Sequence, residues 1–359
     1  MEHVGIDLGS RHSDVCIVDS TGKKTLEKRV ETRRLEEYLK SRPKSHVVME
    51  ACAESPKIAT VAKLLGHEAK VVPGKLVRLL GVGDRNIKTD KKDALALALA
   101  SHRNPELPSV HIRSERAASW RSLLGSRDQV VSTRTTHVNF VRGYARQRII
   151  SFKGRLGPQM LQRLRDELVL LPEGIPAHME EMFSMISYCD ERIAKLTETV
   201  TTIAEGDELC RRLMTMPGVG PITVLRFVSA LDDVKRFPSA ENVASYLALV
   251  PSESTTGGKI RRGHLIDSGP SMLRATLVQS AWTLWRCRKS DPAVKWAELI
   301  AERRNKRIAV VALARKIAIT LYAMWRDGTS FDPTRMAKKP APAISPTQTP
   351  NSASSTMSS

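Results

Sequence analysis

The sequence predicts an α/β domain followed by a mainly helical one, and three observations carry that expectation. Short β-rich runs crowd the first 75 residues and come to alternate with helical patterns. A seam of apolar residues at helical spacing fills the middle of the chain. After residue 207, helical segments separated by Pro and Gly dominate. The chain has 359 residues, room for two modest domains and a linker, and its 41% hydrophobic content suffices for globular cores.

The elements follow in order. HVGIDL (3–8) and DVCIV (14–18) read as strands, and the turn signal Ser20-Thr21-Gly22-Lys23 leads to a third extended run near 25–31. RRLEEYLKS is helical, HVVME is a buried strand ending on Glu50, PKIATVAKLLG (56–66) is a helix, and EAKVVP is another strand. A helix starts near Thr89 or Asp90 and runs through ALALALASH. From Arg113 to Arg165, twelve Lys/Arg face two acids, Glu115 and Asp128, in one or two long basic helices.

After Pro172, Gly174 and Pro176 the pattern changes. Met179, Met182, Ile186, Cys189, Ile193, Leu196, Val200 and Ile203 recur at spacings of three and four, as the a and d positions of a heptad do. This predicts a coiled coil over 175–205, between subunits or as a helical hairpin; a plain amphipathic helix has the same period. From Asp207 come the helix LCRRLMTM, the turn Pro217-Gly218-Val219-Gly220-Pro221 and the helix ITVLRFVSAL. PSESTTGGKIRRGHL then reads as a loop before long helices to about Trp325. Trp282, Trp285 and Trp325, on helical spacing, read as core. Pro, Ser, Thr and Ala dominate 334–359, the composition of a disordered tail. The expected domains are therefore 1–160, the coiled coil at 175–205, a second domain at 207–330, and the tail.

Charge narrows the function. Lys+Arg 57 against Asp+Glu 38 gives +19, which attracts polyanions. Lys259–Lys316 alone holds fourteen Lys/Arg against four acids. The most apolar stretch, Ile308–Trp325, is interrupted by Arg315 and Lys316 and reads as a core helix, so no membrane is expected. Cys16, Cys52, Cys189, Cys210 and Cys287 show no CxxC spacing, and the first residues lack a signal-peptide pattern. Both point to a cytoplasmic, reduced protein. The histidines suggest no metal cluster.

Four carboxylates stand out. Asp7 and Glu50 sit in apolar strands, where an unpaired charge is costly. Asp90 and Asp93 lie three apart at a helix start and face one side. Singly, Asp7 reads as a strand-end residue, Asp90 as a cap and Asp93 as a complement to the helix dipole. Together they can converge on one or two Mg²⁺ (or Mn²⁺) ions, the arrangement that stabilises both oxygens of phosphoryl transfer. Lys88, Lys91 and Lys92 beside them are candidates for holding a phosphate backbone or are solvated charge. Gly218 and Gly220, in a helix-hairpin-helix pattern, can free N–H groups for phosphate; a simple interhelical turn looks the same. Ser252, Ser254, Thr255 and Thr256, with Lys259, Arg261 and Arg262 following, offer a nucleophile in a phosphate pocket or form only a flexible turn. Arg274 is a further nucleic-acid candidate.

VGIDLGS, VVMEACAES and DRNIKTDKKDALALA, with LMTMPGVGPITVLRFVSAL through LIDSGPSMLRATLVQSAW, resemble the IS-one-ten / IS-eleven-eleven family of insertion-sequence transposases over roughly 1–290. The resemblance implies a RuvC-like D-E-D-D domain of ribonuclease H fold, a coiled-coil linker and a helical transposase domain. It also implies Mg²⁺ on the four acids, DNA as substrate, a guide RNA encoded by the element, and a composite site in a homodimer or homotetramer in the bacterial nucleoid. A C-terminal serine would attack the DNA backbone and form a phosphoserine link. The sequence departs from the family pattern here: Ser254-Thr255-Thr256-Gly257 puts threonine at the expected serine position, leaving Thr256, Ser254 or Thr255 for the role. Asp267-Ser268 replaces a Thr/Ser-Lys pair. An actin-like ATPase would share GIDLGS but needs a second phosphate loop absent from the sequence. A metal-dependent junction nuclease would use the acids but not the hydroxyls, and a catalytically impaired nucleic-acid-binding relative would keep only the basic surfaces.

Overall fold

The computed structural model describes residues 1–77, 90–150, 157–172, 174–256, 259–266 and 269–333, without the side chains of residues 75, 77, 90, 91, 158, 254–256 and 259–262. The expected tail at 334–359, Lys88 and the Asp267-Ser268 pair lie outside the described residues. The chain divides into two compact units, Met1–Glu115 and Arg116–Ser359.

The first unit is built on five strands: β1 (Glu2–Asp7), β2 (His12–Val18), β3 (Lys24–Glu31), β4 (Ser45–Glu50) and β5 (Glu68–Val72), in the order β3-β2-β1-β4-β5. β1, β2 and β3 form an antiparallel meander, while β4 and β5 add parallel to β1. Helices α1 (Leu35–Lys40) and α2 (Ser55–Leu64) cover one face. There Val4, Ile6, Val15, Ile17, Val47 and Met49 pack on Leu35, Leu39, Ile58 and Ala62. After the short α3 (Gly74–Val77), helix α4 (Asp90–Arg103) covers the opposite face, where Val48 and Val72 meet Leu97 and Ala100. Central strands covered on both faces read as unbroken apolar runs, which is why VGI and VVM were legible as strands. β3 is one edge, and its KTLEKRVE sequence carries the charges that discourage edge pairing.

The second unit is helical: α5 (Glu115–Gln147), α6 (Pro158–Val169), α7 (Ala177–Gly206), α8 (Glu208–Met214), α9 (Pro221–Leu231), α10 (Ala240–Tyr246), the β6–β7 hairpin (Pro251–Thr256, Lys259–Leu265), α11 (Ser271–Cys287), α12 (Pro292–Arg303) and α13 (Lys306–Asp327). α13 is central, burying Leu313, Ile317, Leu321 and Tyr322 among α9, α11 and α12. Among the described residues it is the one helix long and apolar enough to cross a membrane, and it lies in this core. Trp285 is buried there, with Trp282 and Trp325 packed against the same core.

The heptad seam is used inside the chain. α5 and α7 run antiparallel: Arg116 pairs with Asp207 at 3.2 Å, Arg127 Nε donates to Thr197 at 2.8 Å, and Arg134 pairs with Asp190 at 2.5 Å. Met179 and Ile186 are buried against α5 and α6, and Val200 joins the C-terminal core. The first compact unit ends at Glu115, because α5 buries Trp120 and Leu124 with the C-terminal helices and Val138 and Val141 with α6 and α7.

Candidate metal centre and hydroxyl hairpin

The direction of α4 locates the acids. Ser101 Oγ lies 2.9 Å from His3 Nδ1 near the start of β1. One step along the strand, a Cβ on Gly5 would collide with the Ala94 carbonyl and the Ala98 amide, so the absence of a side chain there lets α4 lie directly on β1. α4 therefore runs back along β1, with its C-terminal turn over His3 and its first turn toward Asp7. Asp93, in that first turn, is 9% exposed.

Asp7 ends β1, half-buried, on the α4 face. In the parallel register Gly5 pairs with Val48 and Ile6 with Met49, so Glu50 is the next rung beside Asp7 and faces the same side. Glu50 lies against Gly74, where a Cβ would strike its Oε1. Asp90 is the first residue of α4, its side chain outside the described set, and Lys92 is exposed. The positive N-terminal end of α4 favours carboxylates here.

Sequence reasoning missed Asp14. It is the third residue of β2, directly opposite Asp7, and is 4% exposed. Among the described residues, no three His, Cys, Asp or Glu side chains form a ready-made metal cage. The donor set is nonetheless of the kind a divalent cation takes: carboxylates on one face of the sheet and in the helix turn above it.

Three histidines, His3, His46 and His102, meet at the other end of this face. His3 and His46 stack at 4.8 Å because β1 and β4 pair them in register, and His102 meets His3 edge-on at 5.3 Å. Together with Lys70 they line a cavity of about 290 Å³. Burial, then the neighbouring His46 and His102, pull the His3 pKa down to about 4.

In the second unit the expected Ser/Thr/Gly loop is a hairpin. Ser254 pairs with Arg261, Thr255 with Ile260 and Thr256 with Lys259. Alternate strand positions share a face, so Ser254 and Thr256 occupy one face of the ribbon and Thr255 the other. Arg262 pairs with Glu253 on the same ribbon, and Arg274 Nη1 donates to the Ile266 carbonyl at 3.3 Å, fastening the chain that follows β7. The two glycines between α8 and α9 differ. Gly218 takes φ +80° and packs against α11, where a Cβ would meet the Ser280 carbonyl; Gly220, the N-cap of α9, has open space. Both glycines remain partly exposed.

With this geometry in hand, the comparisons decide the family. Residues 4–148 match the IS110 DEDD transposase profile, and residues 210–295 match the profile of the Transposase IS116/IS110/IS902 family. The chain belongs to the IS110 (IS-one-ten) family of insertion-sequence transposases. It is 27% identical to a probable family 20 transposase of Pseudomonas aeruginosa over 93% of this chain and 99% of the relative. It is 26% identical to the transposase for insertion sequence element IS1111A of Coxiella burnetii (89% and 88% covered), and 27% identical to that for IS1328 of Yersinia enterocolitica (91% and 98%). The transposase therefore acts on DNA, and its DEDD domain implies dependence on a divalent metal.

Proposed function

We propose that the transposase joins and cleaves DNA with two chemically distinct parts: a RuvC-like, ribonuclease H-fold carboxylate centre in the first unit and a hydroxyl nucleophile on the β6–β7 hairpin. The observation that carries the reading is that Asp7 and Glu50 lie on the sheet face beneath the first turn of α4, the turn that carries Asp93. The order β3-β2-β1-β4-β5 supports the fold assignment.

Asp7, Glu50, Asp90 and Asp93 would hold one or two Mg²⁺ ions, which supply charge neutralisation for a phosphodiester in transit. Carboxylates on a strand end, a neighbouring strand and a helix start are held by rigid elements, so little reorganisation accompanies the reaction. Lys88, Lys91 and Lys92 lie beside them in sequence and would steer the DNA backbone.

On the hairpin, Thr256 or Ser254 attacks the scissile phosphorus. The new bond is P–Oγ, the bond broken is to the departing deoxyribose oxygen, the hydroxyl proton leaves to solvent, and the displaced strand takes a proton. Lys259 and Arg261, their register partners, give the same ribbon two cations for the phosphate. Attack by a second strand end on the phosphoester restores the hydroxyl and joins the strands. Gly218, Gly220, Arg262 and Arg274 complete the DNA-binding set, and the +19 charge suits a guide RNA as well as DNA. The composite site forms in a homodimer or homotetramer, which brings carboxylates and hydroxyls to one phosphate.

A metal-dependent nuclease would leave no covalent intermediate, so trapping decides. A nicked substrate that blocks religation, incubated with Mg²⁺, yields a protein–DNA adduct whose peptide maps to 254–256. DNA cleavage with no adduct at any time point contradicts the nucleophile and favours the nuclease. Binding also weakens linearly in log K against log salt, as neutralised phosphates release counterions.

A further inference from the structure

We infer that Asp14 is a fifth carboxylate of the candidate metal centre, acting on the same divalent ion as Asp7. The inference rests on the metal-centre reading above and extends it to a residue outside the D-E-D-D set.

Register supplies the first observation. Asp7 and Asp14 are directly paired across β1 and β2, so their side chains leave the same face of the sheet, with Cα atoms roughly 4.5–5.5 Å apart. That face is covered by α4, which packs on both strands and points its first turn at this end. Burial supplies the second. Asp14 is 4% exposed, and its carboxylate has no hydrogen-bond or ion-pair partner among the described residues. Its neighbour on the other side, Arg29 of β3, is exposed and forms no ion pair with it.

Two acids placed directly opposite one another repel, and a buried carboxylate without a partner is costly. Nothing in the packing demands an acid there, since Cys16, the next residue on the same face, is fully buried as a neutral side chain. A cation between the strands removes both costs at once. The first turn of α4 adds only the partial positive charge of a helix N-terminus, and it already carries Asp90 and Asp93. The chemistry that satisfies Asp14 is thus a hard divalent cation with oxygen ligands.

The test uses the full chain, freed of metal with EDTA and without nucleic acid, titrated with Mn²⁺ while free Mn²⁺ is read by electron paramagnetic resonance. Melting is followed in parallel. Asp14→Asn should weaken Mn²⁺ binding by about tenfold or more. Without metal it should melt higher than the parent protein, since repulsion is relieved, and the rise in Tm on adding Mn²⁺ should shrink. Asp7→Asn is the control. If Asp7→Asn loses Mn²⁺ and Asp14→Asn binds it within twofold of the parent, the role of Asp14 is overturned while the metal centre stands. If neither substitution changes binding, the metal-centre reading itself fails and this inference with it. A metal-free Asp14→Asn protein that melts lower than the parent, or does not fold, also overturns the inference, because the residue is then a structural support. Asp14→Glu, which keeps the charge, should recover most of the Mn²⁺ affinity lost in Asp14→Asn; no recovery counts against it.

Discussion

The two candidate halves of the chemistry rest on different kinds of scaffold. In the first unit the acids sit at the end of a central strand, on its parallel neighbour and in the first turn of a helix laid directly on the sheet through Gly5. In the second unit the hydroxyls sit on a two-stranded ribbon whose Pro251, Ser252 and Glu253 are exposed. A carboxylate site is useful only if several groups hold fixed mutual positions, whereas a single nucleophile needs reach more than rigidity.

The largest expected effect separates the hydroxyls. Thr256→Ala should abolish the covalent adduct if Thr256 attacks, with Ser254→Ala nearly unaffected; the reverse outcome assigns Ser254. An adduct that survives both substitutions and disappears in Thr255→Ala moves the nucleophile to the other ribbon face. Next come the glycines, which test whether the units fail independently. Gly5→Ala pushes Cβ into the backbone of α4 and should cost about 3 kcal/mol, lowering Mn²⁺ affinity along with Tm. Gly218→Ala combines φ +80° with a collision at Ser280 and should cost about 2–3 kcal/mol, while leaving Mn²⁺ affinity unchanged. Loss of Mn²⁺ binding in Gly218→Ala would break the comparison.

The smallest effect is a pH dependence confined to the first unit. His3 has a folded pKa of about 4, below its ordinary 6.5, so between these values the unfolded chain binds more protons than the folded one. Its contribution is fully present above about pH 6.5 and is lost as pH falls toward 4. His3 is only partly buried, so after allowance for solvent screening the loss is about 1 kcal/mol. Denaturant melts of the parent and His3→Gln across pH 7 to 4.5 check this, the variant showing the shallower slope.

The legible parts of the sequence were those in which local pattern and tertiary role coincide. Asp7 and Glu50 stood out because acids in apolar strands contradict their surroundings, and Asp90-x-x-Asp93 because helix spacing is local. Asp14 was hidden: it begins the run DVCIV and looks like an ordinary strand-edge residue until the β1–β2 register sets it opposite Asp7. The histidines were hidden for the same reason, since His3, His46 and His102 meet only through parallel pairing and the crossing of α4. The heptad revealed a seam but not its partner, which the Arg127–Thr197 and Arg134–Asp190 contacts identify as α5. The hairpin was misjudged as a loop on its Ser/Thr composition, although Gly257-Gly258 between two β-compatible runs is itself a hairpin signal.

The most direct test of the central claim is strand exchange by Asp7→Asn, measured beside DNA binding at the same salt and Mg²⁺ concentrations. Removing a ligand of an ion that stabilises the reacting phosphate should lower exchange by roughly 10³-fold or more. DNA affinity should stay within about twofold, because phosphate contacts by Lys and Arg supply most of it. Exchange that persists in Asp7→Asn, or that falls only in proportion to lost DNA binding, would contradict a carboxylate metal centre at this end of the sheet.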